Sequence, residues 1–183
     1  MRLHNGKLAL AALLLAGLVG IAPLASAGAV GPDVHSSLSE QVGQKLATLP
    51  FYGVFDNIQY QVNGTQVILS GQVTSEHSQT KYDAEKFVKG MEGVTGVVNN
   101  IQVLPPSPMD NRIRQAEYHA IFSMSDLGRY TLGVIPQIHI IVNGGHVALE
   151  GTVLNQMDRN VAGIAANTVS GVFSVKNDLR VAG

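Results

Sequence analysis

The 183-residue sequence contains no cysteine. A disulfide framework is therefore excluded, and so is a lipid-modified cysteine behind an export signal. Charged residues make up only 14% of the chain, the formal net charge is −1, and no basic run occurs. Nucleic acid is not an expected partner on that balance. The motifs that announce catalysis are missing too: there is no G-x-S-x-G elbow and no P-loop, and the acidic residues are scattered over helix faces and caps. The expectation is a protein that is not an enzyme and carries no cofactor. Beyond residue 27, no apolar run is long enough to span a bilayer.

What is present begins with a targeting pattern. Arg2 and Lys7 precede LALAALLLAGLVGIAPL, and Ala25-Ser26-Ala27 places small residues where a signal peptidase cuts. Residues 1–27 read as a signal peptide; the competing reading, an uncleaved anchor, is opposed by Pro23 inside the apolar run. The expected product is a soluble periplasmic chain of about 156 residues, room for one medium or two very small domains.

Those residues spell one unit twice. IQYQVNGTQVILSGQV (58–73) lies over IHIIVNGGHVALEGTV (138–153) without a gap, and GVTGVVNNIQV (93–103) lies over GVFSVKNDLRV (171–181). LPPSPM, with three prolines in four positions, separates the copies. The division is a flexible start at 28–35, a first domain at 36–103, a linker at 104–109 and a second domain at 110–183. In the first copy Leu38, Val42, Leu46 and Leu49 share a helical face behind a Ser37/Glu40 capping box. In the second, Ile113, Ala116, Ala120, Ile121 and Met124 make the stripe, with Asp110 as cap. A second helix follows each hairpin: Ser75 caps a stripe of Thr80, Ala84, Phe87, Val88 and Met91, and Ala162, Ala165, Ala166 and Val169 form its counterpart. The order per copy is αββαβ, an α+β fold with a three-stranded sheet and two helices on one face.

Asn63-Gly64 and Asn143-Gly144, set between alternating apolar residues, predict two-residue turns with both residues at positive φ. Asn63-Gly64-Thr65 also matches a glycosylation sequon, but the second copy keeps Asn-Gly without the threonine. With the turn centred there, Val62 opposes Thr65, and Ile58, Tyr60, Val62, Val67 and Leu69 face the helices. In the second copy Ile138, Ile140, Val142, Val147 and Leu149 face inward, and His139, Ile141, His146 and Ala148 outward. Gly71 and Gly151 close the second strand, where a side chain would be forbidden.

The pattern G-x-V-x-L-x-G-x-V, a helix, and then G-V-x-x-V-x-N-x-[IL]-x-V resembles the BON domain, named for bacterial osmotically inducible and nodulation proteins. The first copy carries it as Gly64, Val67, Leu69, Gly71 and Val73, then Gly93, Val94, Val97, Asn99, Ile101 and Val103. The second carries Val147, Leu149, Gly151 and Val153, then Gly171, Val172, Val175, Asn177, Leu179 and Val181. The resemblance implies a non-enzymatic envelope protein that binds anionic phospholipid or other envelope proteins, in support of envelope integrity or stress tolerance. It supplies no motif of functional residues.

Contact candidates come from the residues themselves. Phe51, Tyr52 and Phe55 concentrate aromatics in one loop, which either covers a small core or forms a wedge toward lipid or a partner. Arg112, Arg114, Arg129 and Tyr130 flank the second copy's first helix, either as a solvated face or as phosphate contacts. His139 and His146 fall about 7–8 Å apart on the outer face in the predicted register; without a third ligand they make a poor metal site. Ile141 with Ala148 offers an apolar outer patch for a protein client. Gly64, Gly71, Gly144 and Gly151 are structural.

Overall fold

The computed structural model describes residues 37–183. The expected signal peptide, 1–27, and the stretch 28–35 lie outside the described residues. The first repeat runs α1 (Leu38–Leu46), β1 (Asn57–Asn63), β2 (Gln66–Val73), α2 (Ser78–Lys89), β3 (Gly96–Asn99) and β4 (Gln102–Val103). The second runs α3 (Pro108–Phe122), β5 (Ile138–Asn143), β6 (His146–Val153), α4 (Gln156–Asn167), β7 (Ser174–Asn177) and β8 (Arg180–Val181). In each, the second strand is central: it pairs antiparallel with the first strand and parallel with the third. This is an α+β fold in two repeated halves.

The third strand is broken in both copies, and the repeated asparagine breaks it. Asn99 Oδ1 accepts from the Ile101 N–H at 3.1 Å while its amide donates to the Lys81 carbonyl on α2 at 2.9 Å. Asn177 repeats this with Leu179 N–H and the Arg159 carbonyl. A side chain that satisfies the backbone locally competes with the sheet ladder. The segments β4 and β8 then rejoin their central strands.

The turns sit one residue later than expected. Asn63 pairs with Gln66 and Asn143 with His146, so the central residues are Gly64-Thr65 and Gly144-Gly145. Gly64 alone has positive φ in the first turn, 62°, whereas Gly144 and Gly145 have 59° and 79°. The first thus matches a turn needing one left-handed residue and the second a turn needing two. The shift moves each strand by one residue, so the predicted faces survive while the opposed partners change. Val62 now faces Val67, and Tyr60 faces Leu69.

The Ser37/Glu40 capping box forms on α1. Helix α3 starts earlier than expected, with Ser107 as cap and Pro108 inside the first turn. Asp110 is instead buried in that turn, and its carboxylate accepts from the Gly144 and Gly145 N–H groups at 2.9 and 2.8 Å. Nor does Ser75 cap α2: it opens a short 3-10 turn and donates to Glu76. Of the predicted stripe on α3, Ile113 and Ile121 are buried as expected, whereas Ala116 and Met124 are exposed; Asp110, Arg114 and Glu117 complete the inward face.

Each sheet buries its own core against its helices. Val42, Leu46, Val67, Leu69, Ala84 and Val88 fill the first; Ile121, Leu127, Tyr130, Ile140, Leu149 and Ala166 are among those filling the second. Full burial of such a side chain is worth about 1.5–3 kcal/mol. Val54 and Phe55, from the loop before β1, pack on the second core rather than their own, and that loop brings the repeats together.

Candidate functional site

The junction is built around the aromatic loop. Phe55 meets Tyr118 of α3 edge to face, with ring centroids 6.4 Å apart. Tyr52 stacks on His139 of β5 at 5.6 Å, with the rings 13° from parallel. The Val54 carbonyl accepts the Ile140 N–H at 2.7 Å, so the loop closes the outer edge of β5. Asp56 holds the base of the loop. Its carboxylate is fully buried and accepts from Gly53 N–H, Thr74 N–H and Thr74 Oγ1, and it pairs with His77 Nδ1 at 2.7 Å. Sequence reasoning missed this cluster, because Asp56 and Thr74 are joined only once the hairpin brings their strands together. Of the hydroxyls near the Asp56–His77 pair, Thr74 Oγ1 donates to Asp56 and Ser75 Oγ to Glu76.

Burial pushes the Tyr52 phenol up to about 12, and its hydroxyl takes the Ile58 N–H at 3.0 Å. Burial holds His139 below its ordinary value, against the opposing pull of Gly53 and Asp56. His139 is thus a stacked, buried element of the junction, and its Nδ1 has no hydrogen-bond partner. His146 is exposed, bonds Ser174 Oγ through Nδ1 at 2.7 Å and tilts onto Phe173. With His146 opposite Asn143, four residues along from His139, the two residues' backbones are about 13 Å apart along the strand, not diagonal neighbours. The shifted turn is the physical cause. Among the described residues, no group of three or more His, Cys, Asp or Glu is arranged to hold a metal ion.

Several sequence candidates lie inside the protein. Arg114 is buried, donating to the Val142 carbonyl at 2.7 Å and to Asn111, so it cannot meet a headgroup. Tyr130 is core: its hydroxyl donates to Asp158 and accepts the Leu154 N–H at 2.9 Å. Ile141 is only 3% exposed, so the outer apolar patch is not free surface. Phe55 and Tyr52 are half-buried at the junction, whereas Phe51, with φ of 61°, is exposed and stacks on His77. Arg112 and Arg129 are exposed. Arg129 lies over the Tyr130 ring and pairs with Asp158, whose carboxyl the Tyr130 hydroxyl and Arg129 hold below its usual range.

Two surface features remain. An open cleft of about 670 Å³ runs between the repeats, lined by consecutive residues of β1 and by His139, Glu150, Gly151 and Arg180 of the second repeat. The Glu150 carboxylate bridges it, accepting from Asn57 and from Gln59 at 2.8 Å. The second feature is the connection between α3 and β5. It buries Leu127 and Tyr130 but leaves Leu132 and Val134 71% and 84% exposed. Leu154 and Met157, at the end of the protein that Tyr130 ties to Asp158, are exposed as well.

Comparison with known proteins agrees with the repeat. The sequence model of the BON domain matches residues 36–105 and 134–183, leaving α3 and most of the α3–β5 connection outside. No curated protein matches the chain. Among solved structures, CdsD, a structural protein of the type III secretion system of Chlamydia trachomatis, is 11% identical, over 78% of this chain and 92% of that one, with a TM-score of 0.32. A structure of the C-terminal domain of CdsD is 12% identical, over 84% and 99%, with a TM-score of 0.26. Likeness at that level carries no argument about function. No helix among the described residues is long and apolar enough to cross a membrane.

Proposed function

The chain belongs to the BON domain family, and on that premise we propose that it is a non-catalytic periplasmic protein that binds anionic phospholipid surfaces through its second repeat. The observation that carries this reading is the exposed pair Leu132 and Val134. They stand on a connection longer than its counterpart in the first repeat, close in sequence to the exposed Arg129. Large exposed apolar side chains suit the boundary between acyl chains and headgroups, and Arg129, although paired with Asp158, adds a partly exposed cation close by in sequence. Charge balance favours the same repeat: residues 110–183 hold six acidic and six basic residues, whereas 36–103 hold six acidic and four basic.

Flotation with phosphatidylglycerol-containing vesicles tests the reading, with purely zwitterionic vesicles as the control. The chain co-floats with the anionic vesicles at low ionic strength and less so as salt screens the headgroups. Leu132→Asp combined with Val134→Asp removes most of the bound fraction. No co-flotation at low salt ends the proposal, and unchanged flotation of the double variant moves the contact elsewhere.

A further inference from the structure

The two repeats treat the outer edge of their first strand differently. In β1 the Ile58 N–H points away from β2 to the Tyr52 hydroxyl, at 3.0 Å. Main-chain groups alternate along a strand, so the N–H and C=O groups of Tyr60 and Val62 point the same way. The equivalent residues of β5 are Ile140 and Val142, and both are engaged: the Ile140 N–H by the Val54 carbonyl, the Val142 carbonyl by the Arg114 guanidinium. The first repeat has neither device. Among the described residues no loop bonds along β1 as Val54 does along β5, and the helix position matching Arg114 is Ser39, too short to reach the edge. That match follows from Leu38 and Ile113, which pack beside the equivalent glycines 93 and 171. Among the described residues, no backbone hydrogen bond from outside the hairpin reaches Tyr60 or Val62. The 670 Å³ cleft is lined by residues 57–61 of this strand and by Arg180, which is exposed and, among the described residues, without an ion pair.

The geometry points to the β1 edge as a strand-addition site for an extended segment of a partner polypeptide, with a carboxylate of that segment against Arg180. The added strand would bond the N–H and C=O groups of Tyr60 and Val62, as Val54 bonds Ile140 within the protein. Main-chain pairing supplies affinity in this mode, and alternate side chains supply selectivity. The partner's outward side chains meet Gln59 and Gln61, so they are polar, and the opposite set, toward Tyr60 and Val62, is apolar. A second copy is a poorer occupant, because β1 reads NIQYQVN and has no acid to answer Arg180. A lipid lacks the alternating donors and acceptors of a peptide. An unpaired strand edge is costly to leave bare, and an adaptor surface explains its retention.

This surface is separate from the Leu132–Val134 tip, so the two proposals fail independently. The probe is a fluorescein-labelled peptide of alternating valine and threonine with one central glutamate. Its twin is N-methylated at the amides that would face β1. The full chain binds the first peptide, and the rapidly exchanging Tyr60 and Val62 amides slow by about tenfold or more on binding. The methylated twin gives neither signal. Val62→Pro, which removes an outward N–H without touching the ladder to β2, weakens binding by about tenfold. Should that variant unfold, Arg180→Glu, at an exposed position, stands in: it weakens the glutamate peptide and favours a lysine one. The inference is overturned by absence of binding at millimolar peptide, by equal binding of the methylated twin, or by the same amide protection from vesicles. Protection that instead tracks dimerisation assigns the edge to a second copy and overturns it too.

Discussion

The repeats share a hairpin, a closing glycine and an asparagine that breaks the third strand, yet one closes the outer edge of its first strand and the other, among the described residues, leaves it open. They differ also in the core. Leu38, Val42 and Leu46 on α1 correspond to Ile113, Glu117 and Ile121 on α3, so a valine and a glutamate occupy equivalent, fully buried positions. The shared residues are those that backbone geometry demands. The residues that differ decide what each repeat buries, what it exposes and how it docks on its neighbour, and both functional proposals rest on them.

The shared scaffold can be broken alike in both copies, and this is the largest effect expected. Gly71 and Gly151 have φ of 104° and 120°, and a Cβ at either would lie 2.1 Å from a backbone carbonyl oxygen, Asn57 or Gln137. Gly71→Ala and Gly151→Ala should each cost about 3 kcal/mol or more, from forbidden backbone and steric overlap together. Gly64→Ala, with nothing within 4 Å, should cost only about 1 kcal/mol. Urea denaturation reads all three, and a near-neutral Gly71→Ala would show that the hairpin relaxes freely there.

These glycines were legible because the same residue recurs at the same strand position twice, and the sheet faces were legible because period two survives a shift of one residue. The turn centre was not, since Asn-Gly fits both as the middle of a turn and as its entry. The docking of Val54 and Phe55 left no periodic trace: it joins residues more than 60 positions apart across two separately patterned cores. Arg114 looked like surface because arginine usually is, and only the edge of β5 explains its burial. Glu117 did leave a signal, the four-residue spacing of Ile113, Glu117 and Ile121 over Leu38, Val42 and Leu46, which the small alanines of α3 obscured.

Glu117 allows the core difference to be erased. Both carboxylate oxygens are buried without a hydrogen-bond partner, and burial raises this carboxyl from 4.5 to about 7. The folded chain therefore holds a proton that the unfolded chain releases between those values. Stability from this group is full below about pH 4.5, falls as pH rises toward 7, and is level above that. Glu117→Val, which installs the residue of the first repeat, should flatten the slope and stabilise the protein at pH 8 by about 2 kcal/mol. Midpoints measured at pH 5 and pH 8 decide the matter. An unchanged slope would mean that the carboxyl finds a partner or water in solution.

The turns offer the finest contrast. In the second repeat the Asp110 carboxylate grips two successive N–H groups, Gly144 and Gly145, from the first turn of α3. In the first repeat, among the described residues, the side-chain brace on the turn is an exposed hydroxyl pair, Thr65 Oγ1 to Thr95 Oγ1 at 2.7 Å, beside the backbone bond from Thr95 N–H to the Thr65 carbonyl, linking the turn to the residue just before β3. Losing a buried, charge-assisted pair of bonds costs more than losing one neutral bond in water. Asp110→Ala should therefore destabilise by about 2 kcal/mol and Thr65→Val by about 0.5 kcal/mol. If the two substitutions cost the same, the second turn is held by its paired glycines and not by the helix beneath it.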